Sequence, residues 1–223
     1  MLELGGIALL PDWPVFLSFV VAGLALNIVP GADMTFIIAS AARGGRRDGV
    51  IASLGIGAGA LVHILAAVLG LSAILASSQT VFNLIKWIGA AYLLWLAVSL
   101  LREGRPAAEA GAGAGRAPGS GARLFRAAML VNILNPKIAL FFLAFLPQFV
   151  DPDAAVPALQ ILCLGLWFDF AGTLVNIAVA LAAAGTARRL RGIAWLGRTA
   201  RWIAATAMAG LAVQLALSGR RQA

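Results

Sequence analysis

The segments Asn27-Ile-Val-Pro-Gly-Ala-Asp33 and Asn132-Ile-Leu-Asn-Pro-Lys137 each interrupt an apolar stretch with a proline close to an ionisable residue. Proline removes a helical hydrogen bond and frees a carbonyl group of the preceding turn. Hydrocarbon cannot solvate such groups, so a broken backbone at membrane depth is tolerated only against protein or a watery cavity. Two breaks of this kind in corresponding places indicate the binding site of a transporter.

The composition excludes an ordinary soluble domain. Of the 223 residues, 61% are hydrophobic and 12% are charged, and the mean hydropathy is +0.94, whereas charged residues make up about 25% of soluble domains. The sequence therefore predicts an all-α membrane protein with six transmembrane helices, the first and fourth broken at proline. The six apolar stretches cover about residues 13–41, 50–76, 80–101, 127–150, 158–185 and 202–218.

The net charge of +8 is distributed unevenly along the chain. Arginines cluster after the first, third and fifth stretches, whereas the opposite loops, residues 1–12, 77–80 and 147–157, contain no Lys or Arg. By the positive-inside rule the arginine-rich loops face the cytoplasm and both termini face outward. This pattern indicates a lipid-embedded protein and gives no reason to expect a nucleic-acid partner.

A segment rich in Gly, Ala, Pro and Ser divides the chain into two parts. We expect a first three-helix half over 1–105, a flexible cytoplasmic linker over 106–122 and a second three-helix half over 123–223. Because three is odd, two related halves would have opposite orientations, as in inverted-repeat transporters. A shift of 106 residues, which places Pro30 on Pro136, also places His63 on Asp169.

Four ionisable residues are predicted near the bilayer midplane, namely Asp33, His63, Lys137 and Asp169. Such residues are costly in a membrane and usually face a bundle interior or a pathway. Asn135 and Pro136 have the order of an N-cap and a first helical residue, which places Lys137 at the positive end of a helix dipole. The site therefore requires an anion, supplied either by a carboxylate of the protein or by a substrate carboxylate.

Several of these residues also have a purely structural interpretation. Asp33 would stabilise the first turn of a restarted helix as a cap, without any role in binding. A lone histidine such as His63 is more often a satisfied interior residue than a site residue. The stripe of Gly55 and Gly59 on the same helix is most simply explained by close packing of membrane helices.

Motifs for other chemistry are missing from the sequence. There is no nucleotide-binding loop, dinucleotide fingerprint, His-Glu-x-x-His pair or cysteine cluster, so we expect no enzymatic activity, no cofactor and no metal. Transport would then be driven by an ion gradient or by the solute itself. An intramembrane aspartyl protease using Asp33 and Asp169 is disfavoured, because Asp33 follows Gly-Ala and the Gly-x-Gly-Asp signature is absent.

Four segments together resemble a known family. They are Pro30-Gly-Ala-Asp33, the stripe Gly55-x-x-x-Gly59-x-x-x-His63, Lys86-Trp-Ile-Gly-Ala-Ala-Tyr-Leu-Leu-Trp95, and Asn135-Pro-Lys-Ile-Ala-Leu-Phe-Phe-Leu-Ala-Phe-Leu-Pro-Gln-Phe149. In these segments the chain is similar to the LysE/RhtB family of bacterial amino-acid exporters, over residues 13 to 218. Ala32 stands where that family usually has a second proline, so the first helix is expected to be less sharply broken.

The resemblance implies a six-helix inner-membrane exporter that moves amino acids or close derivatives outward, driven by the proton gradient. We place its site at the midplane between the two halves. The substrate-binding candidates are Pro30, Asp33, Asn135, Pro136 and Lys137, and the proton-coupling candidates are His63 and Asp169. Lys137 at the Pro136 helix start would hold the substrate carboxylate, and Asp33 would face its ammonium group.

Two other functions are less consistent with the sequence. Export of a divalent cation is disfavoured because hard cations prefer several oxygen ligands, and two carboxylates beside a lysine make a poor cage. A membrane protein without transport activity would not need four ionisable groups at the midplane. The sequence identifies neither the amino acid carried nor the oligomeric state, and a homo-oligomer stays open.

The arginine asymmetry predicts the outcome of cysteine labelling in intact cells. Single cysteines at Arg46, Gly115 and Arg191 should be shielded from an impermeant thiol reagent, whereas cysteines at Ser78 and Asp153 should react. The reverse pattern would overturn the orientation, and loops of one half labelling on the wrong side would refute the inverted repeat.

Overall fold

The computed structural model describes residues 3–4, 7–71, 120–151 and 154–186, with single helical positions at 87, 91, 94, 98, 202, 206, 209, 210 and 213. The described part is helical, as predicted, apart from a two-stranded antiparallel pair, Glu3–Leu4 with Ile7–Ala8. Apart from those single positions, the predicted third and sixth spans lie outside the described residues, as do most of the linker and the labelling positions Ser78, Gly115, Asp153 and Arg191.

Five helices make up the described part. They are α1 (Trp13–Ile28), α2 (Ala32–Ala66), α3 (Ser120–Ile133), α4 (Pro136–Leu140) and α5 (Pro157–Thr186). A π-helical turn, Ala67–Leu71, follows α2, and a π-helical turn, Phe141–Phe145, and a 3₁₀ turn, Leu146–Phe149, follow α4. Helix α3 begins at Ser120, so the last part of the predicted linker over 106–122 is helical.

The first predicted span is interrupted at Pro30. Helix α1 ends at Ile28, Val29 has a ψ of 119°, and Gly31 is extended, with φ of −150° and ψ of −165°. The chain becomes helical again at Ala32, which replaces the second proline expected at this position. Pro30 between two extended residues is therefore sufficient to break the helix.

Helix α2 reverses direction at Gly45. This residue has φ of 73° and ψ of −164°, a conformation that is essentially confined to glycine. A Cβ atom on Gly49 would lie 2.9 Å from the Cβ of Ala41, whereas eight residues of straight helix would separate them by about 12 Å. The arms 32–44 and 46–66 are therefore antiparallel neighbours, and the reversal falls in the arginine loop predicted between the first two spans.

Helix α3 runs parallel to the 46–66 arm and in close contact with it. Gly55 lies against Phe125, and Gly59 lies against Met129 and Asn132, so contacts advance in the same direction along both helices. A Cβ on Gly59 would lie 2.7 Å from the Cβ of Asn132 and 2.7 Å from the carbonyl oxygen of Met129. The glycine stripe therefore permits the close approach of the two backbones.

Helix α5 runs antiparallel to the same arm. Thr173 lies against Gly57, whereas Ala180, further along α5, lies against the earlier Gly49. The side chain of Thr173 is 2.7 Å from the position of a Cβ on Gly57. The 46–66 arm is thus enclosed between α3 and α5 by small residues.

The two broken helices consequently run in opposite directions. Helix α1 is parallel to α5, because Gly23 lies against Phe168 and Asn27 lies against Gly172. Since α5 is antiparallel to the 46–66 arm and α3 is parallel to it, α1 and α3 are antiparallel. Helix α3 and the segment that begins at Pro136 are bent from each other by 49°.

Two continuous helical segments of the described residues are long and apolar enough to cross a membrane, Ala32–Gly70 and Pro157–Gly185. The bent pair Gly121–Ile133 and Pro136–Phe149 forms a third candidate. The first of these segments, Ala32–Gly70, contains the reversal at Gly45 and therefore cannot be a single crossing. The part after Gly45 forms one candidate crossing, and residues 32–44 belong with α1. Leu166, Phe170 and Leu174 are exposed along one side of α5, as expected for contact with lipid.

The buried residues form two clusters of different character. The aromatic cluster includes phenylalanines of α1, α5 and the segment after Pro136, with Phe141 and Phe168 stacked at a centroid distance of 4.3 Å. The alanine cluster lies towards the Gly45 reversal and consists of Ile37, Ala41, Ala52, Ile56, Ala128, Ala180 and Ala183. The two helix breaks lie between these clusters.

Replacement of Gly45 tests the reversal. Gly45→Ala places a Cβ in a conformation that costs a non-glycine residue of the order of 1–3 kcal/mol, so the melting temperature of the detergent-solubilised protein should fall. Gly185→Ala is the matched control, because a Cβ there meets nothing within 4 Å. Equal melting temperatures for the two variants would contradict the left-handed turn at Gly45.

Candidate functional site

Lys137 fills the break in the first span. Its Nζ atom donates hydrogen bonds of 3.2 Å to the carbonyl oxygen of Leu26 and 3.2 Å to that of Val29, and the residue is 9% exposed. These carbonyls lie at the C-terminal end of α1, where the helix dipole is negative and a cation is favoured. In a continuous helix the backbone N–H groups of residues 30 and 33 would donate to these two carbonyls. Pro30 has no N–H and Gly31 is extended, so the ammonium group donates in their place, alongside the Val29 N–H, which also donates to the Leu26 carbonyl at 3.2 Å.

The break in the fourth predicted span positions Lys137. The side-chain oxygen of Asn135 accepts a hydrogen bond of 3.0 Å from the backbone N–H of Lys137, and Pro136 occupies the first turn. This is the N-cap arrangement that the order Asn-Pro-Lys indicates. The cap fixes the start of α4, from which the Lys137 side chain reaches α1.

Asp33 is held by a residue from the opposite break. Its Oδ2 atom accepts a hydrogen bond of 2.8 Å from the side-chain amide of Asn132. Asp33 is 7% exposed and Asn132 is 1% exposed, so both side chains are buried. Neither Asp33 nor Asp169 forms a direct ion pair with Lys137 in the described structure, and the ammonium rests on carbonyl groups instead.

His63 joins the same cluster through the backbone. Its Nε2 atom lies 3.1 Å from the carbonyl oxygen of Asn132, which also accepts a hydrogen bond of 2.9 Å from the backbone N–H of Asn135. The imidazole stacks on Phe142, with a centroid distance of 6.1 Å and an angle of 7° between the rings. With its hydrogen on Nε2, His63 thus satisfies a carbonyl at the broken end of α3.

Asp169 has different surroundings. Its Oδ1 atom accepts a hydrogen bond of 3.4 Å from the hydroxyl of Thr173, and it lies opposite Gly57. The carboxylate is partly buried between α5 and the 46–66 arm. The structure therefore brings His63 to the two breaks, where it contacts Asn132. Asp169 has a different partner, Thr173, which lies one helical turn further along α5.

Buried polar atoms without a hydrogen-bond partner concentrate around the breaks. Five such atoms occur among the described residues, and four of them lie at the breaks: the donors Nδ2 of Asn27 and Nδ2 of Asn135, and the acceptors Oδ1 of Asp33 and Oδ1 of Asn132. The fifth is the donor Nε2 of Gln148. Leaving such groups unsatisfied in an apolar interior is costly. An arrangement of donors and acceptors in one region suits a small molecule that carries both kinds of group.

Three polar residues form buried or partly buried hydrogen bonds that the sequence patterns do not indicate. Asn132 contacts both Asp33 and His63, and the repeated Asn-Ile before each proline is the signal that could have identified it. Thr173 follows Asp169 by one helical turn. Gln160 is fully buried, accepts a hydrogen bond from the backbone of Asp151 and donates one of 3.4 Å to the carbonyl of Ala8.

A search for metal-binding arrangements covered only the residues that the structure describes. Within that part of the chain, no group of three or more His, Cys, Asp or Glu residues could hold a metal ion. The donor set at the breaks consists of one carboxylate, amide groups, backbone carbonyls and a lysine.

Comparison with known proteins identifies several relatives. The chain is 36% identical over 141 residues to an "uncharacterized membrane protein" of Vibrio cholerae serotype O1, covering 63% of this chain and 67% of the relative. It is 30% identical over 155 residues to the homoserine/homoserine lactone efflux protein of Salmonella typhimurium, covering 70% and 72% of the two chains. It is 26% identical over 154 residues to the leucine efflux protein of Klebsiella pneumoniae, covering 69% and 72%. No solved structure matches the chain.

The family comparison covers most of the chain, including both helix breaks and all four ionisable residues of the predicted midplane. The family described as "LysE type translocator" matches residues 24–219. The resemblance inferred from the Asn-Pro-Lys segment and the glycine stripe is thereby confirmed. The apolar, lipid-facing helices agree with a bacterial membrane protein. The chain belongs to the LysE family of translocators.

Proposed function

We propose that this chain is a secondary transporter that exports amino acids or close derivatives across the bacterial inner membrane by proton antiport. Relatives named as leucine efflux and homoserine/homoserine lactone efflux proteins support the substrate class. The six-span plan and the outward orientation of both termini are part of this proposal and rest on the apolar stretches and the arginine loops.

The observation that carries the proposal is the reciprocal contact between the two breaks. Lys137, which follows the second break, donates to the carbonyls of Leu26 and Val29 before the first. Asn132, which precedes the second break, donates to Asp33 after the first. Irregular backbone, a buried cation and a buried carboxylate thus share one region, which is the arrangement expected of a transport site.

The described helices also support two inverted halves. A shift of 106 residues carries α1, Trp13–Ile28, onto 119–134, which is nearly the extent of α3, Ser120–Ile133. The same shift carries the Gly45 reversal onto residue 151, between Phe149 and Pro157, where the second broken segment gives way to α5. Because α1 and α3 are antiparallel, the two units have opposite orientations, and we extend this relation to the third helix of each half.

Lys137 and Asp33 are assigned to opposite ends of the substrate. An ammonium group has three N–H donors, and in the structure two of those on Lys137 are used by carbonyls, so at least one is available for a substrate carboxylate. The unpartnered Nδ2 atom of Asn135 supplies a second donor from the same helix start. The unpartnered Oδ1 atom of Asp33 accepts from the substrate ammonium group. Pro30 and Pro136 act by opening the backbone at these positions.

Asp169 and His63 are assigned to proton coupling. Both are partly buried, and within the described residues each has a single side-chain hydrogen bond, which can be exchanged as a cavity opens. Carboxylate and histidine side chains are the usual members of proton relays inside membrane proteins. Either group can therefore exchange protons between the two sides of the membrane.

The direct experiment is export from loaded cells. Cells with and without the gene are loaded with a panel of amino acids, including leucine and homoserine, and efflux of each is measured. Faster efflux of at least one compound in cells that carry the gene is expected. Equal efflux for every amino acid and derivative would refute the proposed function.

Lys137 variants test the carboxylate site. Lys137→Ala removes a charge-assisted hydrogen bond worth about 1.5–3 kcal/mol, so the apparent affinity for substrate should fall roughly tenfold to a hundredfold. Lys137→Arg keeps the charge on a larger planar group and should impair transport less. Lys86→Ala, which removes the only other lysine of the chain, is the control. Normal export by Lys137→Ala at a normal membrane level would remove Lys137 from the site.

Proton coupling is tested with two neutral replacements. Asp169→Asn retains size and hydrogen bonding but cannot ionise, so substrate binding and passive exchange should persist while accumulation driven by an imposed pH gradient is lost. His63→Gln is measured in parallel in the same vesicles. If only His63→Gln loses coupling, the two roles are exchanged. If both variants still couple export to the gradient, the proton site lies elsewhere.

A further inference from the structure

The carbonyl groups at the end of α1 already hold a cation. Nζ of Lys137 lies 3.2 Å from each of the carbonyl oxygens of Leu26 and Val29, and this cation comes from a residue more than a hundred positions away in the sequence. The helix dipole makes this end of α1 negative. Oxygen atoms from a broken helix end are the groups with which discontinuous transporter helices coordinate cations.

A second feature of this region also points to a cation. Asp33 is buried, and its Oδ1 atom has no hydrogen-bond partner among the described residues. A buried carboxylate oxygen without a partner carries a large desolvation cost. Asp33 follows Gly31 by two residues, and a Cβ on Gly31 would lie 3.5 Å from Nζ of Lys137, so the carboxylate adds a negative charge close to the two carbonyls.

We propose that the broken end of α1 is a binding site for a primary ammonium group, which Lys137 fills at rest and the ammonium group of the cargo takes in its place. The displaced Lys137 is then free to pair with the carboxylate of the same molecule. Cargo binding is therefore an exchange of one ammonium group for another, and the buried carbonyls never lose their cation. The identity of the cargo, and nothing else here, rests on the proposed function.

The exchange has a consequence for selectivity. A primary ammonium group presents N–H donors to the carbonyls of Leu26 and Val29, as Lys137 does, whereas a quaternary ammonium group presents none. The site therefore selects for hydrogen-bond donors and not for positive charge alone. An amino acid whose nitrogen is fully methylated should fail to displace Lys137.

The site is tested by removing its resident cation from the full-length protein. Purified Lys137→Ala protein in detergent is titrated with methylammonium chloride while its melting temperature is recorded. At ten times the half-saturating concentration, a rise of roughly 3–6 °C is expected. Tetramethylammonium chloride, which has the same charge but no N–H donor, and sodium chloride should give no saturable rise.

Two controls separate this site from non-specific effects. Lys86→Ala retains Lys137 in its site. Methylammonium has no carboxylate with which a displaced Lys137 could pair, so it should not stabilise this variant saturably. The double variant Lys137→Ala with Asp33→Asn lacks the carboxylate and should lose the response. A Lys137→Ala protein that does not respond to methylammonium, or that responds equally to tetramethylammonium, overturns the proposal.

If Lys137→Ala does not accumulate, its amount in the membrane is compared in cells grown with and without methylammonium. An increase specific to methylammonium supports the site, and an unchanged amount overturns it. None of these measurements involves transport. A negative result therefore leaves the export proposal intact, and a positive one remains valid even if the efflux assays fail.

Discussion

Unsolvated carbonyl groups at two interrupted helices are the constraint on which the described structure depends. Carbonyls freed near Pro30 cannot be left bare inside an apolar bundle. They are satisfied by Lys137, whose own helix can begin only because Asn135 and Pro136 form its cap. The first break is thus completed by a residue that directly follows the second. Local sequence creates the unsatisfied groups, and tertiary packing resolves them.

The same constraint explains why ionisable residues occur here at all. A charge in a membrane interior is tolerated when it replaces hydrogen bonds that the backbone has lost. Lys137 does so for α1, and His63 contributes in the same way to the broken end of α3. Their structural and transport roles are consequently not alternatives, because a group that completes a helix end with replaceable hydrogen bonds can also exchange partners with a small molecule.

Features that depend on local backbone chemistry could be predicted from the sequence. Both breaks follow from proline, the cap at Asn135 from the order Asn-Pro-Lys, and the reversal near Gly45 from an arginine-rich interruption between apolar stretches. Helix α3 begins at Ser120, before the fourth apolar stretch that is predicted from about residue 127, because its first residues resemble the linker in composition. Composition reports the mean polarity of a segment and does not specify where hydrogen bonding begins.

Features that depend on contacts between distant residues could not be predicted in the same way. The sequence indicates that Lys137 requires compensation, but a backbone carbonyl has no signature, so only carboxylates were considered. The 106-residue shift relates His63 to Asp169, yet residues related by a pseudo-two-fold axis occupy equivalent positions and need not touch. Their partners, Asn132 and Thr173, differ accordingly. Six spans and the third helix of each half stay predictions.

The two buried clusters differ in how much they resist separation. Separating the helices at the aromatic cluster would expose large stacked rings such as Phe141 and Phe168 to solvent. Separating them at the alanine cluster would expose mainly methyl groups, each with a small apolar area, and would cost less free energy. Small side chains also leave smooth helix surfaces, which can slide without changes of rotamer. We therefore expect the helices to rotate about the aromatic cluster as a hinge and to separate most readily at the end that contains Gly45.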